Sequence, residues 1–330
     1  MPPRKLRFLP TKATFKLGNQ LGAGTVGVVY RATSPDLDHP VALKLLHPNV
    51  SGDEKIVDRF EREIQIMERL GHPHIVRHYG GGMLDGQYFY AMQLLEHGSL
   101  KDRLTREGPI AWPLAAAYGV QIASALQHAH NHGIVHRDLK PSNLFFDDEG
   151  ELVLGDFGIA RDTFAADITA QGITVGTYAY MSPEQITADE RIDGKADLYS
   201  LGCVLFEMLT GHPPYQGANF AQVWEQHLHK PPPSVRELGV ECPEWLDDLV
   251  ASLLAKQPVD RPFSARAVEG MLLQHLLDDL GEDASRRLAY ENRPTRIETE
   301  ADGPPQPRYW VLILSLLAIA GILLWSAMQR

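Results

Sequence analysis

Four polar side chains near the middle of the chain have types and spacing that suit one chemistry. The run HRDLKPSNLFF, residues 136–146, brings Asp138, Lys140 and Asn143 into one loop beside an apolar strand. DFG follows thirteen residues after Asn143 and presents the Asp156 carboxylate between a strand and a glycine. An acid can accept a hydroxyl proton, a lysine can neutralise a phosphate, and a carboxamide with a second carboxylate can hold metal ions. These residue types predict phosphoryl transfer.

The glycine-rich stretch LGAGTVGVVY, residues 21–30, fits either a dinucleotide site or a cover over the triphosphate of ATP. A dinucleotide site needs a helix directly after the glycines. Here the chain continues as GVVYRAT, whose β-branched and aromatic residues predict a strand. We therefore expect a strand–turn–strand flap. Its glycines, Gly22, Gly24 and Gly27, would let backbone amides approach phosphates, and Val29 would pack on a base.

Lys44 ends the apolar run VALK, so its ammonium would point inward and need an anionic partner. Apolar residues at helical spacing predict a helix over residues 53–71, and this helix carries Glu63 beside Ile64. Glu61 on the same helix is an equal candidate, and two solvated surface charges would show the same spacing. On the residues alone, the partner of Lys44 stays open.

Composition excludes some partners. The net charge of -11 and a pI near 5.7 argue against nucleic acid, whose phosphates need a basic surface. The fourteen histidines are scattered, which argues against a histidine metal site. Cys203 and Cys242 have no CxxC spacing, so we expect two buried thiols and neither a disulfide nor a zinc site.

A charge-free run near the end of the chain, WVLILSLLAIAGILLWSAM, spans residues 310–328. Nineteen helical residues extend about 28 Å, which matches the hydrocarbon thickness of a bilayer. A helix buried in a globular core would need a domain around it, but the preceding residues 278–309 are polar and rich in proline and predict a flexible linker. We therefore expect a single-pass membrane helix. Only residues 329–330 follow it, which predicts a tail-anchored protein whose larger part is cytoplasmic.

The remaining patterns predict a strand-rich segment followed by a helix-rich one, after a polar tail over residues 1–14. Runs such as VALKLL and YFYAMQLL are typical of strands. Later runs, PLAAAYGVQIASALQHAHNHG and KADLYSLGCVLFEMLTG, are long, periodic and end in glycine, which is typical of helices. NLFFDDEGELVLGDFG, between them, predicts a small hairpin.

Six motifs, GxGxxGxV, VALK, HRDLKPSN, DFG, SPE and DLYSLG, occur in one order along the chain. In this order and at these separations, residues 15–277 resemble the protein kinase superfamily, and in detail the eukaryotic-like Ser/Thr kinases of bacteria, which are often membrane-anchored. The resemblance implies a bilobal α+β fold with an antiparallel-sheet N-lobe over 15–92, a hinge over 93–95 and a mainly helical C-lobe over 96–277. It also implies transfer of the γ-phosphoryl group of Mg-ATP to serine and threonine hydroxyls of proteins, autophosphorylation, and a role in signalling at the membrane.

The resemblance implies a role for each catalytic group. Asp138 would orient the substrate hydroxyl and accept its proton, and Lys140 would neutralise the γ-phosphate. Lys44, held by Glu63, would bind the α- and β-phosphates. The residues that would hold Mg²⁺, or Mn²⁺ in its place, are Asn143 and Asp156.

The resemblance also implies an ATP pocket. Met92 would be the gatekeeper, and the hinge backbone would read the adenine edge. Phe145 and His78 depart from the family, which more often has aliphatic residues at both positions; we interpret His78 as a core histidine in preference to a pH switch. The residues that would contact ATP are Leu21, Gly22, Gly24, Gly27, Val29, Ala42, Lys44, Met92, Gln93, Leu95 and Phe145.

Regulatory and structural residues follow from the same resemblance. Arg137 would receive a phosphate from the activation segment, residues 156–184, with Thr169 and Thr174 as acceptors and a homodimer as a route to trans-autophosphorylation. Thr177 would contact the catalytic acid and lysine, as in Ser/Thr kinases. The residues to which we assign structural roles are Glu184 and Arg261, as a buried pair, and Asp197, as a cap on the backbone of the catalytic loop, residues 136–143.

Three other functions make different predictions. A pseudokinase would lack Lys44, Asp138, Asn143 or Asp156, and this sequence has all four. A small-molecule kinase of related fold would lack this glycine-rich loop and the SPE-closed segment with Thr177. A dinucleotide oxidoreductase would need a helix after the glycines, where a strand is predicted.

Overall fold

The computed structural model describes residues 15–23, 27–48, 64, 67–157, 177–189 and 191–281, with the backbone alone for Thr177. The chain divides into two compact units, residues 1–296 and 297–330, and every described residue belongs to the first. Several predicted features therefore lie outside the described residues. They are the tail 1–14, the linker from residue 282 onward, the membrane helix 310–328 and the tail 329–330.

The first part of the described chain forms a five-stranded antiparallel sheet in the order β1-β2-β3-β5-β4. β1 pairs with β2 and β2 pairs with β3, while β5 lies between β3 and β4. The strand bounds are β1 Lys16–Ala23, β2 Gly27–Thr33, β3 Val41–Leu46, β4 His78–Leu84 and β5 Gln87–Gln93.

The two faces of this sheet carry different side chains because neighbouring residues of a strand point to opposite faces. Val41 and Leu43 of β3 belong to an apolar cluster on one face, together with Phe89 of β5. Ala42 and Lys44 therefore lie on the other face. That second face is the one that carries the candidate site.

A helix precedes β4, and its described residues pack tightly on the sheet. Ile64 and Met67 are helical and buried. A Cβ atom at Gly81 of β4 would lie 2.8 Å from Ile64 Cδ1 and 2.8 Å from the Phe89 carbonyl oxygen of the neighbouring strand, so this position requires glycine. Gly81 thereby allows the helix to approach the sheet closely.

The second part of the described chain is mainly helical. A short antiparallel hairpin of β6 Leu144–Phe146 and β7 Leu152–Leu154 lies between its helices. The helix bounds are α1 Leu100–Glu107, α2 Trp112–Asn131, α3 Pro183–Ile186, α4 Gly194–Thr210, α5 Phe220–His229, α6 Glu244–Leu253 and α7 Ala265–Leu280.

α4 is the centre of this helical part. Every residue from Ala196 to Leu209 is buried, so the helix has no solvent-facing stripe. α2 packs against α4 and α7, and α4 also packs against α6. A helix that is buried on all sides must pack against neighbours on all sides, and here other helices provide much of that cover.

Local signals explain where several helices begin and end. Ser99 accepts a hydrogen bond from Asp102 N, and the Asp102 side chain accepts one from Ser99 N, which forms a capping box at the start of α1. Gly211 has φ 83° and donates its N–H to Glu207 O, which closes α4 in the left-handed conformation that favours glycine.

The predicted order of a strand-rich part and a helix-rich part is confirmed, as is the hairpin between the two long helices. Some details differ. β5 includes Gln93, which the resemblance assigned to the hinge, and α7 continues past 277 to Leu280, where Gly281 caps it. Cys203 is fully buried, but the prediction of a buried thiol is wrong for Cys242, which is only partly buried. No helix in the described ranges is both long and apolar enough to cross a membrane.

Candidate active site

The loop before β6 brings together two predicted catalytic residues, Asp138 and Lys140, and the predicted metal ligand Asn143. Lys140 Nζ lies 3.0 Å from Asp138 Oδ2, and both side chains are largely buried. The chain then forms a 3₁₀ turn over Pro141–Asn143, from which Asn143 Nδ2 donates to Asp138 O at 2.9 Å and to Asp138 Oδ2 at 3.3 Å. The acid is thus held between a cation and an amide donor.

Asp197 supports this loop from the first turn of α4. Its side chain is fully buried, and Oδ2 and Oδ1 accept hydrogen bonds from the backbone N–H groups of His136 and Arg137, each at 2.8 Å. His130 Nε2 of α2 lies 2.7 Å from Oδ2. Burial alone would raise the pKa of Asp197, but the hydrogen bond and charge of His130 and the Arg137 N–H outweigh it and hold this pKa below its usual value.

Two residues of the site have left-handed backbone conformations, which are strained for residues other than glycine. Arg137 has φ 64° and Asp156 has φ 46°. The Arg137 carbonyl accepts a hydrogen bond from Gln185 Nε2 at 2.9 Å, and its amide is held by Asp197. Such strained conformations persist only where several contacts fix the backbone. They give the side chains of Arg137 and Asp156 directions that a regular strand or helix would not.

His136 links the catalytic loop to the segment after β7. Its Nε2 lies 3.0 Å from Gly155 O, and its ring contacts Phe157 at a centroid distance of 4.6 Å. Burial lowers the pKa of His136, although the Asp197 charge opposes this effect. Gly155 N also donates to Asn143 O at 2.9 Å. These contacts position Asp156, which directly follows Gly155.

Lys44 meets this segment from the sheet. Its Nζ lies 3.5 Å from Asp156 Oδ1 and 5.5 Å from the centroid of the Tyr90 ring. The Lys44 side chain is 21% exposed and that of Asp156 is 45% exposed. The structure thus brings together Lys44 and Asp156, whereas Glu63 and Glu61, the partners considered for Lys44, lie outside the described residues.

The sheet face that carries Ala42 and Lys44 also carries other predicted ATP contacts. Val29 pairs with Lys44 across β2 and β3, and Ala42 pairs with Met92 across β3 and β5, so all four side chains share that face. They form an apolar wall around one ammonium group. The other predicted contacts that are described are Leu21, which is exposed, and Gln93 and Leu95, which are partly buried at the end of β5 and just beyond it.

The described glycines of the flap have different reasons to be glycine. A Cβ atom at Gly27 would lie 2.3 Å from Leu45 O, so the close pairing of β2 with β3 requires glycine there. A Cβ atom at Gly22 would meet no atom of the described residues within 4 Å. Packing among the described residues therefore explains the glycine at position 27 but not the one at position 22. Gly24 lies outside the described residues.

The two positions that depart from the family both lie close to the site. Phe145 is partly buried on β6, and its ring would be 3.1 Å from a Cβ atom at Gly155. His78 pairs with Met92 across β4 and β5, and its Nδ1 accepts from Gly80 N at 3.2 Å. Burial lowers the pKa of His78 to about 4. It is therefore neutral near pH 7, which agrees with the interpretation as a core histidine.

The donor set suits a hard divalent cation. Asp156 offers a partly exposed carboxylate, and the Asn143 Nδ2 atom is committed to Asp138, so the Asn143 amide oxygen is the end that remains for a metal. Oxygen ligands of this kind are those that Mg²⁺ prefers. The described residues contain no group of three or more His, Cys, Asp or Glu side chains preformed for a metal ion. The two predicted ligands would therefore need phosphate oxygens or water to complete a site.

A segment that packs against the catalytic loop runs from the 3₁₀ turn Thr177–Tyr180 through α3. Arg261 donates to both carboxylate oxygens of Glu184, at 2.6 and 2.8 Å, and both side chains are nearly or fully buried. Arg261 also donates to three backbone carbonyl groups, of Ala255, Lys195 and Lys256. This pair attaches α3 to the helices beneath it.

Sequence reasoning missed some residues of the site. Gln185 joins α3 to the catalytic loop, and Glu207 of α4 accepts hydrogen bonds from Lys101 Nζ at 2.9 Å and from the Tyr180 hydroxyl. No local pattern marks these contacts, because each joins elements distant in the chain. The predicted phosphate acceptors Thr169 and Thr174 lie outside the described residues, and for Thr177 only the backbone is described.

Comparisons with known proteins agree with this geometry. The family model described as "Protein kinase domain" matches residues 15–273. The chain is 38% identical over 296 residues to serine/threonine-protein kinase PknH of Mycobacterium bovis. The aligned region covers 89% of this chain and 50% of PknH. It is also 36% identical over 262 residues to serine/threonine-protein kinase PknL of Mycobacterium tuberculosis. That aligned region covers 79% of this chain and 65% of PknL. The chain thus spans about half the length of PknH and less than two thirds of PknL.

The fold is also similar to that of a solved structure. The kinase domain of Mycobacterium tuberculosis PknI superposes with a TM-score of 0.59 at 27% sequence identity. The match covers 79% of this chain and 95% of that one. The similarity therefore extends over nearly all of the PknI domain, with its sheet and its helices.

Proposed function

Since this chain belongs to the protein kinase family, we propose that it is a serine/threonine-protein kinase that transfers the γ-phosphoryl group of ATP to hydroxyl groups of proteins. The observation that carries this proposal is the convergence of side chains from both parts of the fold. Lys44 of the sheet lies 3.5 Å from Asp156, and Asp138, Lys140 and Asn143 form one hydrogen-bonded group on the catalytic loop. Phosphoryl transfer depends on positioning and on charge stabilisation, and these residues supply both.

In this function the protein residues divide the work. Asp138 orients the attacking serine or threonine hydroxyl and accepts its proton. Lys140, next to Asp138, neutralises charge on the transferred phosphate. Lys44 binds the α- and β-phosphates. The apolar residues Val29 and Ala42 enclose the adenine together with Phe145, and the hinge backbone binds the polar edge of the adenine.

Asn143 and Asp156 would hold Mg²⁺ or Mn²⁺. Such a cation supplies charge neutralisation to the phosphate oxygens and to the developing charge. The amide nitrogen of Asn143 also contacts Asp138, so the same side chain keeps the acid in position. This contact supports the assignment because it connects the metal ligand with the proton acceptor.

Regulation is part of the proposal. Arg137 directly precedes Asp138 and has a strained backbone, so a phosphate bound to its guanidinium would act close to the acid. We assign Thr169 and Thr174 as phosphate acceptors, Thr177 as a contact of Asp138 and Lys140, and a homodimer as the arrangement for autophosphorylation in trans. The charge-free run 310–328 supports a single membrane span, with the kinase domain on the cytoplasmic side.

The test uses the full chain with Mg-ATP labelled in the γ-phosphate. Asp138→Asn should lower transfer to protein by about 10²- to 10⁴-fold, the range for loss of a general base. Lys44→Ala should lower it through weaker binding of the triphosphate. Phosphoamino-acid analysis should find the label on serine and threonine.

Two matched substitutions serve as controls. Asp278→Asn and Lys230→Ala make the same chemical changes at exposed positions on α7 and just after α5, and both should leave transfer unchanged. Equal labelling in Asp138→Asn and the wild type, or label on tyrosine alone, would contradict the proposed function.

A further inference from the structure

Gln185 is a buried polar residue of α3 to which the proposed function gives no role. Its Oε1 accepts hydrogen bonds from the backbone N–H and from the hydroxyl of Ser182, both at 3.1 Å. Its Nε2 donates to the Arg137 carbonyl oxygen at 2.9 Å. A backbone N–H only donates and a carbonyl oxygen only accepts, so these partners fix which end of the amide faces which side.

The peptide unit that Gln185 contacts is the one that leads into the catalytic acid. Its carbonyl oxygen belongs to Arg137 and accepts from Gln185. Its N–H belongs to Asp138 and donates to His136 Nδ1 at 3.2 Å. Because a peptide unit is planar, contacts at both polar ends fix its rotation. The Asp138 Cα lies in the same plane, so this rotation also sets the direction of the Asp138 side chain.

Backbone strain makes this contact important. Arg137, on the other side of the peptide unit, has φ 64°, and a left-handed residue with a Cβ persists only where surrounding contacts hold it. Asp197 holds the Arg137 amide from α4, and Gln185 holds the Arg137 carbonyl from α3. Without the Gln185 amide, the peptide unit can rotate and relieve the strain.

α3 is a firm support for Gln185. Glu184, its neighbour in the chain, forms the buried pair with Arg261. Ser182 forms a capping box with Gln185 at the start of α3. The amide therefore reaches the catalytic loop from a helix that is itself held in place.

We propose that Gln185 is a positioning residue for phosphoryl transfer, which holds the peptide unit before Asp138 so that the carboxylate faces the attacking hydroxyl. This inference rests on the proposed kinase function. Gln185 acts through Asp138 and not through a contact with ATP or with the hydroxyl. Small displacements of a reacting group lower the rate strongly, because transfer depends on the distance and angle between the groups.

Peptide kinetics with the full chain and Mg-ATP test this proposal. Gln185→Met keeps the length of the side chain and removes the amide. It should lower kcat about tenfold, the effect of losing one buried hydrogen bond, and leave KM for ATP unchanged. Each rate is divided by the number of nucleotide-binding sites, titrated with a fluorescent ATP analogue, so that unfolded chains are not counted. Gln185→Asn, whose amide is one methylene too short, should act in the same direction if Gln185→Met does not fold.

Gln121→Met is the matched control. Gln121 on α2 also binds a backbone group, since its Oε1 accepts from Leu152 N at 2.8 Å. Leu152 pairs with Phe146, at the end of the hairpin away from the catalytic loop. This substitution should leave kcat as in the wild type, and a loss of kcat equal to that of Gln185→Met would overturn the proposal.

The combination of Gln185→Met with Asp138→Asn separates positioning from stability. If Gln185 acts through Asp138, Gln185→Met should cause no further loss of transfer once Asp138 is replaced. A purely structural role would lower transfer by the same factor with Asp138 or without it, and that result would overturn the proposal.

The outcomes also distinguish this proposal from the kinase function itself. If the wild type transfers phosphate and Gln185→Met has the same kcat, Gln185 has no such role and the kinase function stands. If Asp138→Asn transfers as fast as the wild type, the kinase function fails, and hydrogen exchange of the backbone amides decides whether Gln185 holds the loop. Gln185→Met should then exchange faster than Gln121→Met in a peptide covering residues 136–140, and equal exchange overturns the positioning role.

Discussion

The buried pair of Glu184 and Arg261 allows a quantitative prediction for Glu184→Gln. The change keeps the size of the side chain and one acceptor oxygen but removes the charge. Arg261 would then be a buried cation without its counterion, since its side chain is fully buried and that of Glu184 is 8% exposed. The glutamine amide would also direct N–H donors toward the N–H donors of the guanidinium group.

The structure sets the size of the effect. Arg261 donates to both oxygens of Glu184, at 2.6 and 2.8 Å, so the change affects two charge-assisted hydrogen bonds. Removal of one member of a buried pair typically costs about 3–5 kcal/mol. Because glutamine retains one acceptor, we expect a loss of about 3 kcal/mol in the free energy of unfolding. For a domain of this size, such a loss lowers the melting temperature by roughly 6–12 °C.

Urea unfolding monitored by circular dichroism, with thermal melting as a second measurement, provides the assay. Glu244→Gln is the control, because the Arg236–Glu244 pair is exposed, 3.6 Å apart, and should contribute less than about 0.5 kcal/mol. Arg261→Met should cost more than Glu184→Gln, since Arg261 also donates to three backbone carbonyl groups. A loss below about 1 kcal/mol for Glu184→Gln, or one equal to that of Glu244→Gln, would refute the reasoning.

Two further predictions concern acid stability and the membrane. Burial lowers the pKa of His227 to about 3 from 6.5, so the folded protein holds this imidazole neutral while the unfolded chain is protonated below about pH 6.5. Its contribution to stability is complete well above pH 6.5 and is lost as the pH falls toward 3, by roughly 2 kcal/mol between pH 6.5 and 4.5. Urea unfolding at several pH values should show a smaller pH dependence for His227→Gln, and an equal dependence would contradict this. A chain that ends at Arg308 should remain in the supernatant when cell membranes are sedimented, whereas the full chain should sediment; the same distribution for both would contradict a membrane span at residues 310–328.

The sequence was informative where function or packing leaves a local pattern. Asp138, Lys140 and Asn143 lie within six residues of one another, so their joint role was visible before any fold was known. The two long helices were predictable from apolar periodicity and their terminal glycines, and the β6–β7 hairpin from two short apolar runs around a polar turn. In each case the physical cause acts between near neighbours in the chain.

Contacts between distant elements were not predictable in this way. Spacing alone did not identify an anionic partner for Lys44, and the fold brings it to Asp156, in the other part of the molecule. The contacts of Glu207 with Lys101 and Tyr180 join three elements, and no motif marks them. Gly27 fits the phosphate-loop pattern, but the reason that only glycine fits is its distance from Leu45 on the next strand.

The complete burial of α4 constrains how this molecule can be divided. Every side chain from Ala196 to Leu209 depends on neighbours that come from earlier and later parts of the chain, including α2 and α6. Removal of either neighbour would expose the largely apolar surface of this helix, and such a fragment would aggregate. Recombination or insertion within this half of the molecule is therefore tolerated only at surface connections, such as the exposed residues 236–239 between α5 and α6.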